Sequence, residues 1–405
     1  MNLATLAFAY ARRRPLATFL NVLLLAVGVA TITLVILVSD ELEQRMQREA
    51  SGIDLVVGAK GSPLSIVLAG VYHVDVPPGN IPLAAVEALA RNPLVREVIP
   101  LALGDSFRGY RIVGTTDAFV AHYGATLRAG RLWKAPMEAV LGSDVARGTG
   151  LAVGGRFAGS HGLAEGGGEH GDANYRVVGV LAPTGTVVDR LVLTGIDSVW
   201  AVHDAHGHGD AHAEDTADGD AKPPEREVTL ALVKYRSPLA AASLPRAING
   251  ETVLQAAAPA YESARLFSVF GVGTGVVRGF ALLLIGASAL GLFVALTQAL
   301  DERRRDLAIM RTLGASRARI VGVLLLESVG LTALALAIGL VAAHAVAASL
   351  GTFIPEAAPL AAGAARWRAD EGWVVILALG AGIMAAALPA WRAYRLDVAA
   401  ILSEG

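Results

Sequence analysis

The sequence has no cysteine, which excludes a disulfide framework, an iron–sulfur site, a c-type haem and a thiol nucleophile. It is also short of charge. Asp, Glu, Lys and Arg make up 17% of its 405 residues, against roughly 25% in soluble domains. The formal net charge of −2 gives no footprint for nucleic acid, which needs a concentrated basic face. A Gly-x-x-x-x-Gly-Lys-[Ser/Thr] phosphate loop is missing as well, so the chain is not its own P-loop ATPase. Gly58-Ala59-Lys60-Gly61-Ser62 has the wrong order and spacing, and a turn before Pro63 accounts for it. What is abundant is apolar: 54% of the residues are hydrophobic and the mean hydropathy is +0.52. This composition implies an integral membrane protein with a large water-facing part.

Four windows are long enough to cross a bilayer, which takes roughly 20 apolar residues. They run over Leu16–Val38, Gly279–Leu300, about Ile320–Leu350 and Gly372–Trp391. The first is longer than the apolar core of a signal peptide and has no small-residue cleavage site, so it reads as a true span. Basic residues set the orientation. Arg12, Arg13 and Arg14 precede the first span, Arg303 to Arg319 lie between the second and third, and Arg392 and Arg395 follow the fourth. All three segments share one side, so both termini are expected in the cytoplasm, with residues 39–277 facing outward.

That outer segment, residues 39–277, is long enough for one or two domains and its pattern is mixed α and β. Strands are expected at Asp54–Val57, Val95–Ile99, Tyr110–Val113, Ala139–Leu141, Tyr175–Leu181, Arg190–Thr194 and Val228–Lys234, with a helix over Pro82–Arg91. Residues 39–50 continue the first span as a helix, supported by the Glu41–Arg45 pair, and Glu262–Val277 mirrors it before the second. The expected fold is therefore four transmembrane α-helices with a large α+β domain inserted between helices 1 and 2. The divisions fall at 1–38, 39–277 and 278–405.

Within the spans, pairs such as Ala287 with Gly291, Ala335 with Gly339 and Gly382 with Ala386 suit close helix packing. Glu327 is an intramembrane carboxylate and by default a functional hypothesis. Its place about two turns beyond Arg319 also allows a structural role at the headgroups or at a helix contact. His344 reads as a neutral imidazole bonded to a neighbouring helix. Gly271-x-Gly273-x-Gly275 lacks the context of a nucleotide fingerprint and reads as a hinge before the second span.

Residues 301–315 carry the most information. Glu302, Arg303, Arg304, Arg305 and Asp306 crowd its beginning. Leu307, Met310 and Leu313 recur at helical spacing beside Ile309 and Arg311, and Gly314 is a plausible stop. On spacing alone this is either a positive-inside anchor or a short amphipathic helix that docks into a partner's groove. The segment closely resembles the coupling helix of the MacB/FtsX-type ABC permeases, the family that includes lipoprotein-release permeases. Pro389-Ala390-Trp391-Arg392-Ala393-Tyr394-Arg395-Leu396-Asp397 resembles that family's C-terminal motif, and Val113-Gly114-Thr115-Thr116 with Gly130-Arg131 resembles its outer domain. The resemblance implies a separate cytoplasmic ABC ATPase that holds ATP-Mg, a second permease copy, identical or not, and a periplasmic or lipoprotein partner. It also implies mechanotransmission without enzymatic activity in this chain, acting on lipoprotein, peptide or amphiphile export. Signalling to a periplasmic hydrolase is the alternative within the same family.

Residues 203–220 hold four of the nine histidines, His203, His206, His208 and His212, among carboxylates. Such a tract either collects zinc weakly or is a solvated low-complexity insertion. A catalytic zinc site is not expected, because no His-Glu-x-x-His occurs. If the tract does bind metal, a zinc-handling assembly is a third functional class.

Overall fold

The computed structural model describes residues 15–161, 169–206, 226–302, 309–353, 361, 363 and 366–395. In chain order, α1 (Pro15–Ala50) is followed by β1 (Leu55–Ala59), α2 (Pro63–Val67) with a π turn (Leu68–Tyr72), β2 (Ile81–Pro82) and α3 (Leu83–Ala90). Then come β3 (Val95–Phe107), β4 (Tyr110–Thr115), α4 (Asp117–His122), β5 (Leu127–Gly130), β6 (Glu138–Leu141), α5 (Ser143–Thr149), β7 (Arg156–His161) and β8 (Glu169–Leu181). A 3-10 turn (Val187–Arg190) leads to β9 (Leu191–Gly195), α6 (Ile196–His206), β10 (Glu227–Val228), β11 (Leu230–Tyr235), α7 (Leu239–Glu251) and β12 (Leu254–Ala257). The chain closes with α8 (Pro259–Glu302), α9 (Arg317–Phe353) and α10 (Glu371–Tyr394).

Contacts divide the chain into two units, Gln44–Phe267 and the remainder. The divisions lie inside α1 and α8 rather than at the ends of the apolar windows. Hydropathy marks where lipid contact ends, whereas packing marks where each helix joins the inserted core. Met46, Leu266 and Phe267 already pack on that core.

Among the described residues, α1, α8, α9 and α10 are long and apolar enough to cross a membrane. They meet through small residues, as the sequence pattern predicts. A Cβ added at Gly339 would lie 2.6 Å from the Ala26 carbonyl, and one at Gly382 would lie 2.2 Å from Thr332 Oγ1. Two serines bond between helices as well. Ser288 Oγ donates to the Asn21 carbonyl at 2.9 Å, and Ser328 Oγ donates to the Gly382 carbonyl at 2.7 Å.

The inserted unit is built on one large sheet of order β12-β1-β11-β3-β4-β9-β6-β8-β5, with β7 bridging β3 and β8. It is antiparallel except where β4 meets β9 and β6 meets β8. The long β3 pairs first with β11 and then with β4 and β7, and its register shifts between Leu103 and Ser106. Both faces of the β1 end are covered. Val56 joins one apolar cluster with Ile66, Val71, Leu101 and Leu230, whereas Leu55 and Val57 join another with Val95, Val233 and Ile248. Double coverage explains why Leu55-Val56-Val57 reads as a continuous apolar run. Each such side chain contributes about 1.5–3 kcal/mol on burial.

The two ends of this unit are tied together. Tyr72 Oη donates to the Met46 carbonyl at 3.4 Å and lies 2.7 Å from Ser263 Oγ. The π turn that carries Tyr72 ends at His73, whose φ of 55° is left-handed. His73 is buried against the edge of Phe119 and neither ring nitrogen has a hydrogen-bond partner among the described residues. Burial, reinforced by the cations Arg111 and Arg190, lowers its pKa to about 3. The unfolded chain therefore takes up this proton near pH 6.5 and the folded chain does not, so stability falls as the pH drops from 6.5 towards 3. His73→Asn keeps a residue that tolerates the backbone and removes the titration. Thermal unfolding of the whole chain in nanodiscs should show a pH slope flatter by one proton, about 1.4 kcal/mol per pH unit, than wild type below pH 6.

Candidate functional site

Of the segment singled out by sequence, Arg303, Arg304, Arg305, Asp306 and Leu307 lie outside the described residues. Glu302 ends α8 and is exposed, and residues 309–312 are helical. Gly314, with φ 95°, closes this turn. Its N–H donates to the Arg311 carbonyl at 3.1 Å, and the Ala315 N–H donates to the Met310 carbonyl at 2.9 Å, the paired bonds of a Schellman motif. Ser316 then caps α9, its Oγ accepting from the Arg319 N–H at 3.2 Å.

The same geometry sorts the apolar side chains. Leu313 is 82% and Ile309 50% exposed, one helical turn apart on one face. Met310 turns the other way and packs on the cluster of Leu292, Leu296, Leu300, Ile320 and Leu324. Leu313 thus stays on the free face while Met310 anchors the turn, a division that spacing alone did not reveal. Arg317 lies over the Tyr394 ring at 5.4 Å and Arg395 over Trp391 at 4.1 Å. The first of these cation–π contacts ties the start of α9 to the C-terminal motif; the second lies within that motif, of which Leu396 and Asp397 lie outside the described residues.

A second polar centre was not visible in the sequence. Arg368 places Nη1 3.1 Å from Asp40 Oδ2 and Nη2 3.3 Å from Glu41 Oε2. Its own N–H donates to Glu371 Oε1 at 3.0 Å. Glu371, fully buried, meets His344 Nε2 through Oε2 at 3.1 Å. His344 is thus bonded to a neighbouring helix, and its partner is the carboxylate that immediately precedes the last apolar window. Glu327 is buried on α9 beside Ser328.

In the inserted unit, Gly130 has φ 78° and an added Cβ would lie 2.1 Å from the Val178 carbonyl. It delivers Arg131 to Glu138, which accepts at Oε2 from Nη1 at 2.7 Å and at Oε1 from Nη2. Chiefly through Arg131, and then through the Lys134 N–H, the Glu138 carboxyl is pulled down to about 2. This fork fastens the 131–138 connection onto the sheet. The histidine tract is only partly described. His203 and His206 fall in the last turns of α6, and His208 and His212 lie outside the described residues. Among the described residues, no group of three or more metal-type side chains converges.

A model of the MacB-like periplasmic core domain matches residues 18–250, more than half of the chain, and one of the FtsX-like permease C-terminal domain matches residues 278–398. No curated protein matches the chain. Among solved structures, the periplasmic region of MacB from Actinobacillus actinomycetemcomitans aligns with 13% identity and a TM-score of 0.34, covering 56% of this chain and 97% of that one. The extracellular domain of the noncanonic ABC-type transporter YknZ from Gram-positive bacteria aligns with 13% identity and a TM-score of 0.30, covering 50% and 98%. Overlays that loose carry no weight, and the assignment rests on the two matched domains. With its four apolar helices and inserted α+β domain, the chain belongs to the MacB/FtsX-type family of ABC transporter permeases, as a multi-pass subunit of the inner membrane.

Proposed function

We propose that this permease subunit transmits force: ATP-driven closure of its partner ATPase pushes on residues 302–314, and α1 and α8 carry the displacement to the inserted domain. Family membership implies an ABC transporter with a partner ATPase, so ATP-Mg belongs to that partner. The observation that carries the reading is the exposed pair Ile309 and Leu313 on a turn whose reverse side is packed. A free apolar face on a fixed base is what a partner's groove can push against. Continuous helix through α1 and α8 supports transmission.

In this reading both termini and the coupling turn lie in the cytoplasm and the inserted domain in the periplasm. Two permease copies, identical or not, work with two ATPases, and the cargo is a lipoprotein, peptide or other amphiphile. A cavity of about 290 Å³ flanked by Ile32, Ile36, Arg278, Asp370 and Trp373 suits an acyl chain with a polar head. Depletion of the protein, followed by quantitative proteomics of the inner and outer membranes, tests the export reading. Particular lipoproteins should accumulate in the inner membrane. An unchanged distribution overturns lipoprotein release and favours signalling to a hydrolase.

A further inference from the structure

The inserted unit carries a cavity of about 450 Å³ in which neither the coupling turn nor the ionic network takes part. Arg128 from β5, Val180 from β8, Ser143, Ala146 and Arg147 from α5, and Leu151 from the turn after α5 line it. Local backbone geometry fixes its walls. Gly150, with φ 71°, ends α5 and donates to the Ala146 carbonyl at 3.1 Å. Gly154, with φ 95°, donates to the Val177 carbonyl at 2.8 Å and pins the returning chain to β8.

The lining is chemically specific. Arg128 sits where the β5–β8 register slips between Leu127 and Ala129, and it has no acidic partner among the described residues. Arg147 shares Asp144 at 3.1 Å, but both side chains are exposed and the pair is screened. Ser143 is buried and its hydroxyl has no hydrogen-bond partner among the described residues, an unmet polar group that a ligand oxygen would satisfy. The remaining walls are alkyl. A mostly apolar cavity with a few convergent polar groups is the usual form of a small-molecule site. At roughly 30 Å³ per water-sized group, this one holds about fifteen non-hydrogen atoms.

We propose that this cavity binds a single-chain anionic amphiphile, its carboxylate or phosphate head at Arg128 and Arg147 and about ten to twelve carbons along Ala146, Leu151 and Val180. Guanidinium groups match both heads. An extended peptide is the poorer occupant, because β5 is a four-residue edge strand with a bulge, and a short bulged edge resists strand addition. That the bound amphiphile is cargo rests on the export reading above; the binding itself does not.

The test uses the full chain in zwitterionic nanodiscs without ATPase, a diazirine-bearing dodecanoate probe, and peptide mapping by mass spectrometry. Labelling is expected on peptides spanning residues 127–130 and 143–153. Dodecanoate and dodecyl phosphate should each compete, and the stronger competitor identifies the head, whereas dodecyltrimethylammonium should not compete. Arg128→Glu with Arg147→Glu should cut this labelling at least tenfold while labelling of the membrane helices stays constant. Ala152→Trp, which fills the cavity from an exposed position, should do the same. Labelling confined to the four apolar helices, or unchanged in the charge-reversed chain, overturns the proposal, as does competition by an acidic peptide alone. Cavity labelling with lipoproteins undisturbed on depletion keeps the site and discards its export role. Disturbed lipoproteins without cavity labelling overturn the site and keep export.

Discussion

Leu313→Asp combined with Ile309→Asp should reduce the ATPase recovered with the permease by more than tenfold, with membrane insertion unchanged. Both side chains face outward from the turn that Gly314 closes, so the substitutions leave the packing beneath them intact. A carboxylate pressed into an apolar groove loses its hydration without a partner, which costs several kcal/mol, and each 1.4 kcal/mol is a factor of about ten. Met310→Asp should behave differently. Its side chain packs on Leu292, Leu296 and Leu300, so a charge there should lower expression and thermal stability before any effect on the partner is read. Co-purification from a strain carrying both subunits measures the first effect, and thermal unfolding in nanodiscs the second. Full ATPase recovery with the Leu313/Ile309 pair would sink the docking role of this face.

Arg368→Ala should destabilise the membrane unit by about 3–5 kcal/mol, the usual cost of removing one partner from a buried ion pair. Two carboxylates, Asp40 and Glu41, depend on its fork, whereas the backbone N–H that serves Glu371 survives the substitution. The side chain is largely buried, so added salt should restore little. Arg368→Lys should rescue only part, because an ammonium cannot span both Asp40 and Glu41 as a planar fork does. Combining Arg368→Ala with Asp40→Asn and Glu41→Gln should recover much of the loss, since no uncompensated charge then remains beside the missing guanidinium. Thermal unfolding of the four chains in nanodiscs decides the matter. A single Arg368→Ala chain as stable as wild type would show that the network contributes nothing.

The spans and most strands of the inserted unit were legible because their cause is local. A run of apolar residues has few other places to go, and the strand at Tyr110–Thr115 or Leu191–Gly195 carries its burial in its own composition. The strand Leu127–Gly130 was not legible. All four of its residues are exposed, and only the partner β8 makes it a strand. The continuation of β3 to Phe107 was hidden for a related reason: its second half answers to β4 and β7 rather than to its own alternation. The ionic network escaped notice because Asp40, Glu41, Arg368 and Glu371 each look like ordinary span flanks. Only folding brings residues separated by more than three hundred positions together. In the turn before α9, the spacing placed Leu307, Met310 and Leu313 on one side, but the packing of Met310 on α8 and α9 decides that Ile309 and Leu313 are left exposed.

The order of strands has a consequence for how the protein is made. β1 is among the first elements of the inserted domain to be synthesised, yet its two neighbours are β11 and β12, among the last. While the chain is being synthesised, Leu55-Val56-Val57 has no native edge to pair with until residues 230–235 and 254–257 have followed. Pairing so distant in sequence is slow, and an open apolar strand is prone to associate with others. The nascent domain therefore passes through a stage at which its sheet cannot close. A holding chaperone would matter most then, and a stall in synthesis before residue 257 would leave an aggregation-prone fragment tethered by α1.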